Sequence, residues 1–129
     1  MAIGNTVAVV GNITSDPEVL FSKSGLPITR FSVAQNVGEG ENRRASYYDV
    51  TCFDSTAQNV AKLVKGDRVV VMGRLDFQEW VDQKTNNRRT KVAVVADTVG
   101  ADMRWAEVAI TKNVRDDAPV PEFVGDETF

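Results

Sequence analysis

The most informative part of the chain is residues 46–82, which read SYYDVTCFDSTAQNVAKLVKGDRVVVMGRLDFQEWVD. Residues 46–53 and 68–82 are rich in aromatic and β-branched residues and alternate in polarity, which is typical of half-buried β-strands. The residues between them repeat their apolar positions every three or four residues, as a helix does. The segment therefore predicts a strand, a helix and a longer strand, in that order.

The middle of this segment carries signals that begin and end a short helix. Ser55 is followed three residues later by Gln58, which is the spacing of a capping box with Ser55 as the N-cap. Gly66 follows the last apolar residue and favours termination. We predict one helix of about two to three turns. Its apolar positions are Ala57, Val60, Ala61 and Val64.

Period-two alternation also dominates the rest of the chain. The further predicted strands are residues 6–10, a short extended continuation at 18–21, 28–36 and 88–97. Gly11 and Asn12 are predicted to end the first strand, and residues 37–44 and 84–87 to form hairpin tips. Residues 103–110 are predicted to add one more strand, or an edge that pairs with another subunit. The predicted core positions are Phe31, Val33, Tyr48, Val50, Cys52, Val69, Val71, Leu75 and Phe77.

About five strands with one helix between the third and the fourth predict an all-β protein. The favoured architecture is a five-stranded Greek-key barrel of the oligonucleotide/oligosaccharide-binding (OB) type with extended β-hairpins. A β-sandwich is the competing architecture, and the lone helix argues against it. A chain of 129 residues fits one domain. We expect the OB domain to span residues 1–112 and a short acidic, disordered tail to span residues 113–129.

The composition narrows the chemistry that the chain can perform. It has no His, the usual general base at neutral pH, and one Cys, so neither an intramolecular disulfide nor a multi-cysteine metal site is expected. We predict a non-enzymatic protein without catalytic residues, metal or cofactor. No transmembrane helix and no signal peptide are expected, so the predicted compartment is the cytoplasm and no membrane partner is expected.

The charge is unevenly distributed along the chain. Lys and Arg number 15 against 18 Asp and Glu, but residues 116–129 hold five acidic residues and no basic one. The first 115 residues therefore carry 15 basic and 13 acidic residues and are mildly basic. The acidic stretch is either a solvated terminus or a peptide that docks into a basic, apolar pocket of a partner.

Three aromatic residues share a strand face with polar residues. Tyr47 and Phe53 alternate with the apolar positions of their strand, and Trp80 falls on the same parity as Arg74. Exposed aromatic rings usually have a partner, and flat rings beside cations suit the unpaired bases of single-stranded nucleic acid. The alternative is that these rings cover a dimer interface or one end of the barrel.

Phosphate groups require cations near those rings. The candidate DNA-binding cations are Arg30, Arg43, Arg44, Lys65, Arg74, Arg88, Arg89 and Lys91, several of them near predicted hairpin tips. Asp49, Asp76 and Glu79 oppose phosphate binding at their own positions. Cys52 lies on the apolar parity and is predicted to be an inert core thiol.

Two motifs resemble the bacterial single-stranded DNA-binding protein family. They are VVGNITSDPEV at residues 9–19 and KGDRVVVMGRL at residues 65–75, followed by Trp80 and a hairpin, and the resemblance covers about residues 3–105. It implies an OB barrel, a homotetramer, and sequence-independent binding that protects single-stranded DNA in replication, recombination and repair. By position, Tyr47 and Trp80 stand where the family has base-stacking Trp residues. Phe53 stands where the family has a stacking Phe, and Lys65 matches a basic position that contacts DNA.

The end of the chain shows both a likeness to that family and a departure from it. The extension over residues 103–114 is similar to actinobacterial members, in which an extra strand clamps paired subunits. Asp126, Glu127 and Phe129 keep the acid-then-Phe character of the family's partner-binding tail for replication and repair proteins, without its long linker. The resemblance therefore implies a nucleoid-associated protein, either the housekeeping member or a specialised paralogue. The alternative is an OB-fold accessory module that binds proteins of replication or restart complexes.

Overall fold

The computed structural model describes residues 4–114, which form a sheet that closes on itself and one α-helix. The strands are β1 (Val7–Ile13), β2 (Glu18–Phe21), β3 (Pro27–Val37), β4 (Arg44–Phe53), β5 (Arg68–Val81) and β6 (Arg88–Ala101). The helix α1 (Asp54–Val60) connects β4 to β5, and a 3₁₀ turn (Gly40–Asn42) lies between β3 and β4. No helix within the described residues is long and apolar enough to cross a membrane.

The strand pairings close a five-stranded barrel. The order β1-β5-β6-β4-β3 returns to β1 through the pairing of β3 with the end of β1, and β4 pairs with β6 in parallel. β2 pairs with β3 just beyond the point where β1 leaves it. β1 and β2 therefore act as one bent barrel strand, and α1 lies between the third and fourth strands of the barrel. The predicted all-β OB barrel is confirmed.

Gly11 is a site of close backbone approach and not a strand end. β1 continues through Ile13, and Asn12 pairs with both Arg68 and Ala34. A β-carbon at Gly11 would overlap the carbonyl oxygen of Ala34 on β3. The prediction that Gly11 and Asn12 end the first strand was wrong, because glycine here lets β1 bridge from β5 to β3.

The core is the inner face of the barrel, and most predicted positions lie in it. Phe31, Val33, Val50, Cys52, Val69 and Val71 are buried, while Tyr48 and Leu75 are partly buried against them. Phe77 is 64% exposed, so its prediction as a core residue was wrong. Residues 77–81 and 88–92 are exposed on both faces of the β5–β6 hairpin. The hairpin extends beyond the barrel, so an inward-facing position on it has no core to pack against and stays exposed.

The helix is shorter than its sequence signals suggest. It begins at Asp54, its N-cap is Phe53, and no side chain caps it, so the prediction of Ser55 as N-cap was wrong. Asp54 has a φ of 60°, which turns the chain directly from β4 into the helix. α1 ends at Val60, well before Gly66. Its buried Ala57 carbonyl accepts a 2.7 Å hydrogen bond from Thr29 Oγ1, which fixes the helix to β3.

Residues 103–110 form no strand within this chain, contrary to the first of the two predicted outcomes. The Asp102 N–H donates to the carbonyl of Arg68, the first residue of β5. Because β5 begins at Arg68, the chain that follows Asp102 has no further residue of β5 to pair with. Pairing of this segment with another subunit stays a prediction.

Candidate nucleic-acid interface

The outward side chains of β3, β4, β5 and β6 form one surface, called here the outer face. On β4 it comprises Tyr47, Asp49, Thr51 and Phe53, since the alternate residues Val50 and Cys52 point into the core. The β3 residues directly opposite them are Ala34, Ser32, Arg30 and Ile28. The β5 residues of the outer face are Arg74, Asp76, Gln78 and Trp80, which are paired with Val95, Ala93, Lys91 and Arg89 of β6.

All three predicted rings are exposed on this face. Tyr47 is 68%, Phe53 43% and Trp80 48% exposed. Phe53 ends a row of apolar side chains that runs across three strands: Leu20 on β2 is paired with Ile28 on β3, and Ile28 is paired with Phe53 on β4. Three separated places on one surface therefore present an aromatic face to solvent.

A polar groove of about 430 Å³ is lined by residues of the β1–β2 connection, β2, β3, the middle of β4 and the β5–β6 hairpin, and the three rings lie outside this lining. Its lining includes Arg30, Asp49, Thr51, Gln78 and Lys91. The Lys91 ammonium lies 3.3 Å from the Asp49 carboxylate, so this contact joins β6 to β4 across the groove. The structure thus brings Arg30 and Lys91 together between Tyr47, Phe53 and the hairpin that carries Trp80.

The cations of the outer face are paired with carboxylates. Arg30 lies 3.7 Å from Glu18, Arg74 lies 3.7 Å from Asp76, and Arg89 lies 3.5 Å from Asp82. Most of the side chains in these pairs are more than one third exposed. Exposed pairs of this kind contribute about 0.2–1 kcal/mol each. An incoming phosphate can therefore replace the carboxylate at little cost, and the free surface is close to electrically neutral.

The remaining predicted cations lie around the groove and not in it. Arg43 and Arg44 are exposed where β4 begins, and Arg88 is exposed on the hairpin. Lys65 is exposed in the connection between α1 and β5. Its backbone N–H donates at 2.9 Å to Asp16, a groove residue, which places Lys65 at one end of the groove.

Sequence reasoning missed the carboxylates that pair with Arg30 and Arg89. Glu18 reaches Arg30 because β2 and β3 pair with those two residues opposite each other. Asp82 reaches Arg89 across the hairpin. Gln78 and Thr51 were also missed as groove residues, although parity places both on the face of Trp80 and Tyr47.

Neither a reactive thiol nor a cluster of metal-binding side chains is present in the described part of the chain. Burial raises the pKa of the Cys52 thiol to about 12, so it remains protonated and unreactive at neutral pH. Within residues 4–114, no group of three His, Cys, Asp or Glu side chains could hold a metal ion. The arrangement offers stacking surfaces and exchangeable cations, which suit binding.

Comparison with known proteins gives a family and several relatives. The model of the single-strand binding protein family matches residues 4–102. A single-stranded DNA-binding protein of Mycolicibacterium smegmatis is 35% identical over 123 residues, which is 89% of this chain and 74% of the relative. The protein of the same name from Mycobacterium leprae is 34% identical, covering 89% and 73%. That from Deinococcus radiodurans is 36% identical over 107 residues, covering 79% of this chain and 35% of the relative.

Proposed function

The chain belongs to the single-strand binding protein family, and from this premise we propose that it binds single-stranded DNA without sequence preference and protects it during replication, recombination and repair. The family consists of DNA-binding proteins and not of enzymes. The proposal is supported by the exposure of three rings, Tyr47, Phe53 and Trp80, on the same outer face as a polar groove that contains Arg30 and Lys91.

Binding divides into a stacking part and an ionic part. Bases stack on the three rings, which is tolerant of sequence because every base has a π-face. Phosphates take the places of Asp49 and Glu18 beside Lys91 and Arg30. Arg89 lies opposite Trp80 and can exchange Asp82 for a phosphate in the same way, whereas Arg74 lies roughly 20 Å from Trp80 along β5 and can exchange Asp76. Arg43, Arg44, Lys65 and Arg88 extend the positive potential around the groove. The ionic part weakens as salt rises, whereas the stacking part does so much less.

Members of this family form oligomers, and we propose a homotetramer for this chain. The support lies on the outward side of β1 and β5, where apolar residues are adjacent across the strands. Ala8 lies opposite Met72 and Val10 lies opposite Val70, and Met72 is exposed. A flat apolar strip of this kind suits packing against a second copy.

The acidic end of the chain is assigned a recruiting role. Asp126, Glu127 and Phe129 lie outside the described residues, so the proposal for them rests on sequence: carboxylates followed by an apolar ring fit a basic, apolar pocket on replication and repair proteins. We accordingly divide the chain into an OB domain over residues 1–112 and an acidic tail over residues 113–129. The proposed setting is the bacterial cytoplasm, on the nucleoid.

The test is titration with oligo-dT. Alanine at Tyr47, Phe53 or Trp80 is expected to weaken binding about 5- to 150-fold each, since stacking contributes roughly 1–3 kcal/mol per base. Phe21→Ala is the matched control, because this ring is 69% exposed but belongs to the opposite strand face, where Phe21 lies opposite Pro27. Parent-like affinity in a variant that lacks all three rings contradicts the proposal, as does an affinity independent of salt.

A further inference from the structure

A second cluster of an exposed ring and cations lies at the other end of β5 from Trp80. The Trp105 ring is 68% exposed. The guanidinium carbons of Arg68 and Arg104 lie 4.8 and 4.6 Å from the centroid of this ring. Arg68 is the first residue of β5, so roughly 40 Å of strand separates it from Trp80 at about 3.3 Å per residue.

Asp102 fixes this cluster although residues 102–114 form neither helix nor strand. Its carboxylate accepts hydrogen bonds from the Arg104 backbone N–H at 2.9 Å and from Arg68 Nε at 2.6 Å. These two bonds lower the pKa of Asp102 and keep it ionised. Arg68 also donates to Asn12 Oδ1 at 3.2 Å. The ring is therefore held against the barrel by bonds within the chain, without the help of a ligand.

The two arginines have different roles. Arg68 is neutralised by Asp102 and held by Asn12, so it positions the ring. Arg104 forms no ion pair within the described residues, and its guanidinium contacts the indole. A guanidinium on an aromatic ring keeps N–H donors for a phosphate, and exposed indole surface accepts a base. Stacking on a ring and a cation for the phosphate are the two components of single-strand binding, and this cluster offers both.

We propose that Trp105 and Arg104 form a second contact for single-stranded DNA, reached only by strands longer than those that fill the groove of the outer face. Arg68 and Asp102 are the positioning residues of this contact. The inference rests on the proposed function, since the ligand is the same, and it extends the DNA path from the hairpin end of β5 to the opposite end of the barrel.

The chain contains two tryptophans, Trp80 and Trp105, so each contact can be observed separately. The full chain carrying Trp80→Phe reports on Trp105, and the chain carrying Trp105→Phe reports on Trp80. Each is titrated with oligo-dT of about 8 and about 30 nucleotides, lengths within and well beyond the 4–16 nucleotides that one OB fold occupies. We expect Trp80 emission to be quenched by both lengths, and Trp105 emission by the longer one only.

Affinity measurements decide whether the contact contributes to binding. Trp105→Ala is expected to weaken binding of the longer oligonucleotide roughly 10-fold and to leave the shorter one unchanged. Arg104→Ala is expected to reduce the salt slope for the longer strand by about 0.7. Met103→Ala, an exposed apolar residue of the same segment, is the control and is expected to bind as the parent does.

The failures of the two proposals are distinguishable. Quenching of Trp80 without any response of Trp105 to the longer strand overturns the second contact and leaves the proposed function intact. Shielding of Trp105 from acrylamide in the DNA-free protein also overturns it, because a second copy then covers the ring. If the parent binds oligo-dT of neither length, both proposals fall.

Discussion

Asp49 is expected to restrain DNA binding, so removing its charge is expected to strengthen binding. Its carboxylate lies 3.3 Å from the Lys91 ammonium in the groove, and both side chains are about half exposed. Bound DNA must separate this pair, which costs about 0.2–1 kcal/mol. It must also bring a phosphate near the freed carboxylate, and two like charges about 6 Å apart in water repel by roughly 0.7 kcal/mol before screening.

Asp49→Asn removes both costs and leaves the shape of the side chain almost unchanged. The sum, about 0.9–1.7 kcal/mol, predicts an affinity for oligo-dT about 5- to 18-fold higher at low salt. The salt slope is expected to steepen by up to about 0.7, because Lys91 then carries a counterion that the phosphate releases. The free energy of unfolding is expected to fall by less than about 1 kcal/mol, since the lost pair is exposed.

The assay is fluorescence titration with oligo-dT at a series of salt concentrations, with unfolding followed by circular dichroism. Glu79→Gln is the matched control, because it changes the net charge equally while its neighbour across the hairpin is Thr90, on the face opposite Trp80. An equal gain in both variants shows that only net charge matters and refutes the local reasoning. Unchanged or weaker binding by Asp49→Asn refutes it as well.

Three further predictions concern the barrel. Thr29→Val removes the buried hydrogen bond to the Ala57 carbonyl, but this carbonyl still accepts a hydrogen bond from the Ala61 N–H at the end of α1. Denaturant unfolding is therefore expected to show a free energy of unfolding lower by about 0.5–1.5 kcal/mol and not more. Folding raises the pKa of the Cys52 thiol from 9.0 to about 12, so the stability that the protonated thiol contributes is complete below pH 9 and is lost as the pH rises towards 12. Cys52→Ala is expected to flatten this decline in the free energy of unfolding. Gly73→Ala places a β-carbon against the backbone of β6 and is expected to lower the melting temperature markedly, whereas Gly100→Ala, with open space around it, is expected to leave it unchanged.

Alternation of polarity predicted the strands because each barrel strand has one buried face. The same rule was wrong for Phe77, since it assumes that a core lies beside every residue of the strand, and the β5–β6 hairpin outruns the barrel. Gly11 was misread for a related reason. A glycine in a strand indicates either a turn or a close approach, and only the crossing of β1 onto β3 distinguishes the two.

The rings of the candidate site were recognisable from sequence because an aromatic residue on a polar parity stands out. The ion pairs of Arg30 and Lys91 were not recognisable. Glu18 becomes the neighbour of Arg30 only through the pairing of β2 with β3, and Asp49, although predicted to oppose phosphate binding, becomes the neighbour of Lys91 only through the closure of the barrel. The cluster at Trp105 was equally hidden. It depends on the hydrogen bonds that join Asp102 to Arg68, residues far apart in the sequence.

The pairing of cations with carboxylates determines how salt acts on binding. A free cation releases a counterion when a phosphate arrives, and each such release adds about 0.7 to the salt slope on single strands. In the proposed interface, a phosphate that binds Arg30, Arg74, Arg89 or Lys91 instead displaces a carboxylate, which then takes up a cation from solution. Uptake offsets release, so these four side chains add little to the slope. We therefore expect the salt dependence to report mainly on those cations around the groove that form no ion pair within residues 4–114, and the affinity that persists at high salt to be the contribution of the rings.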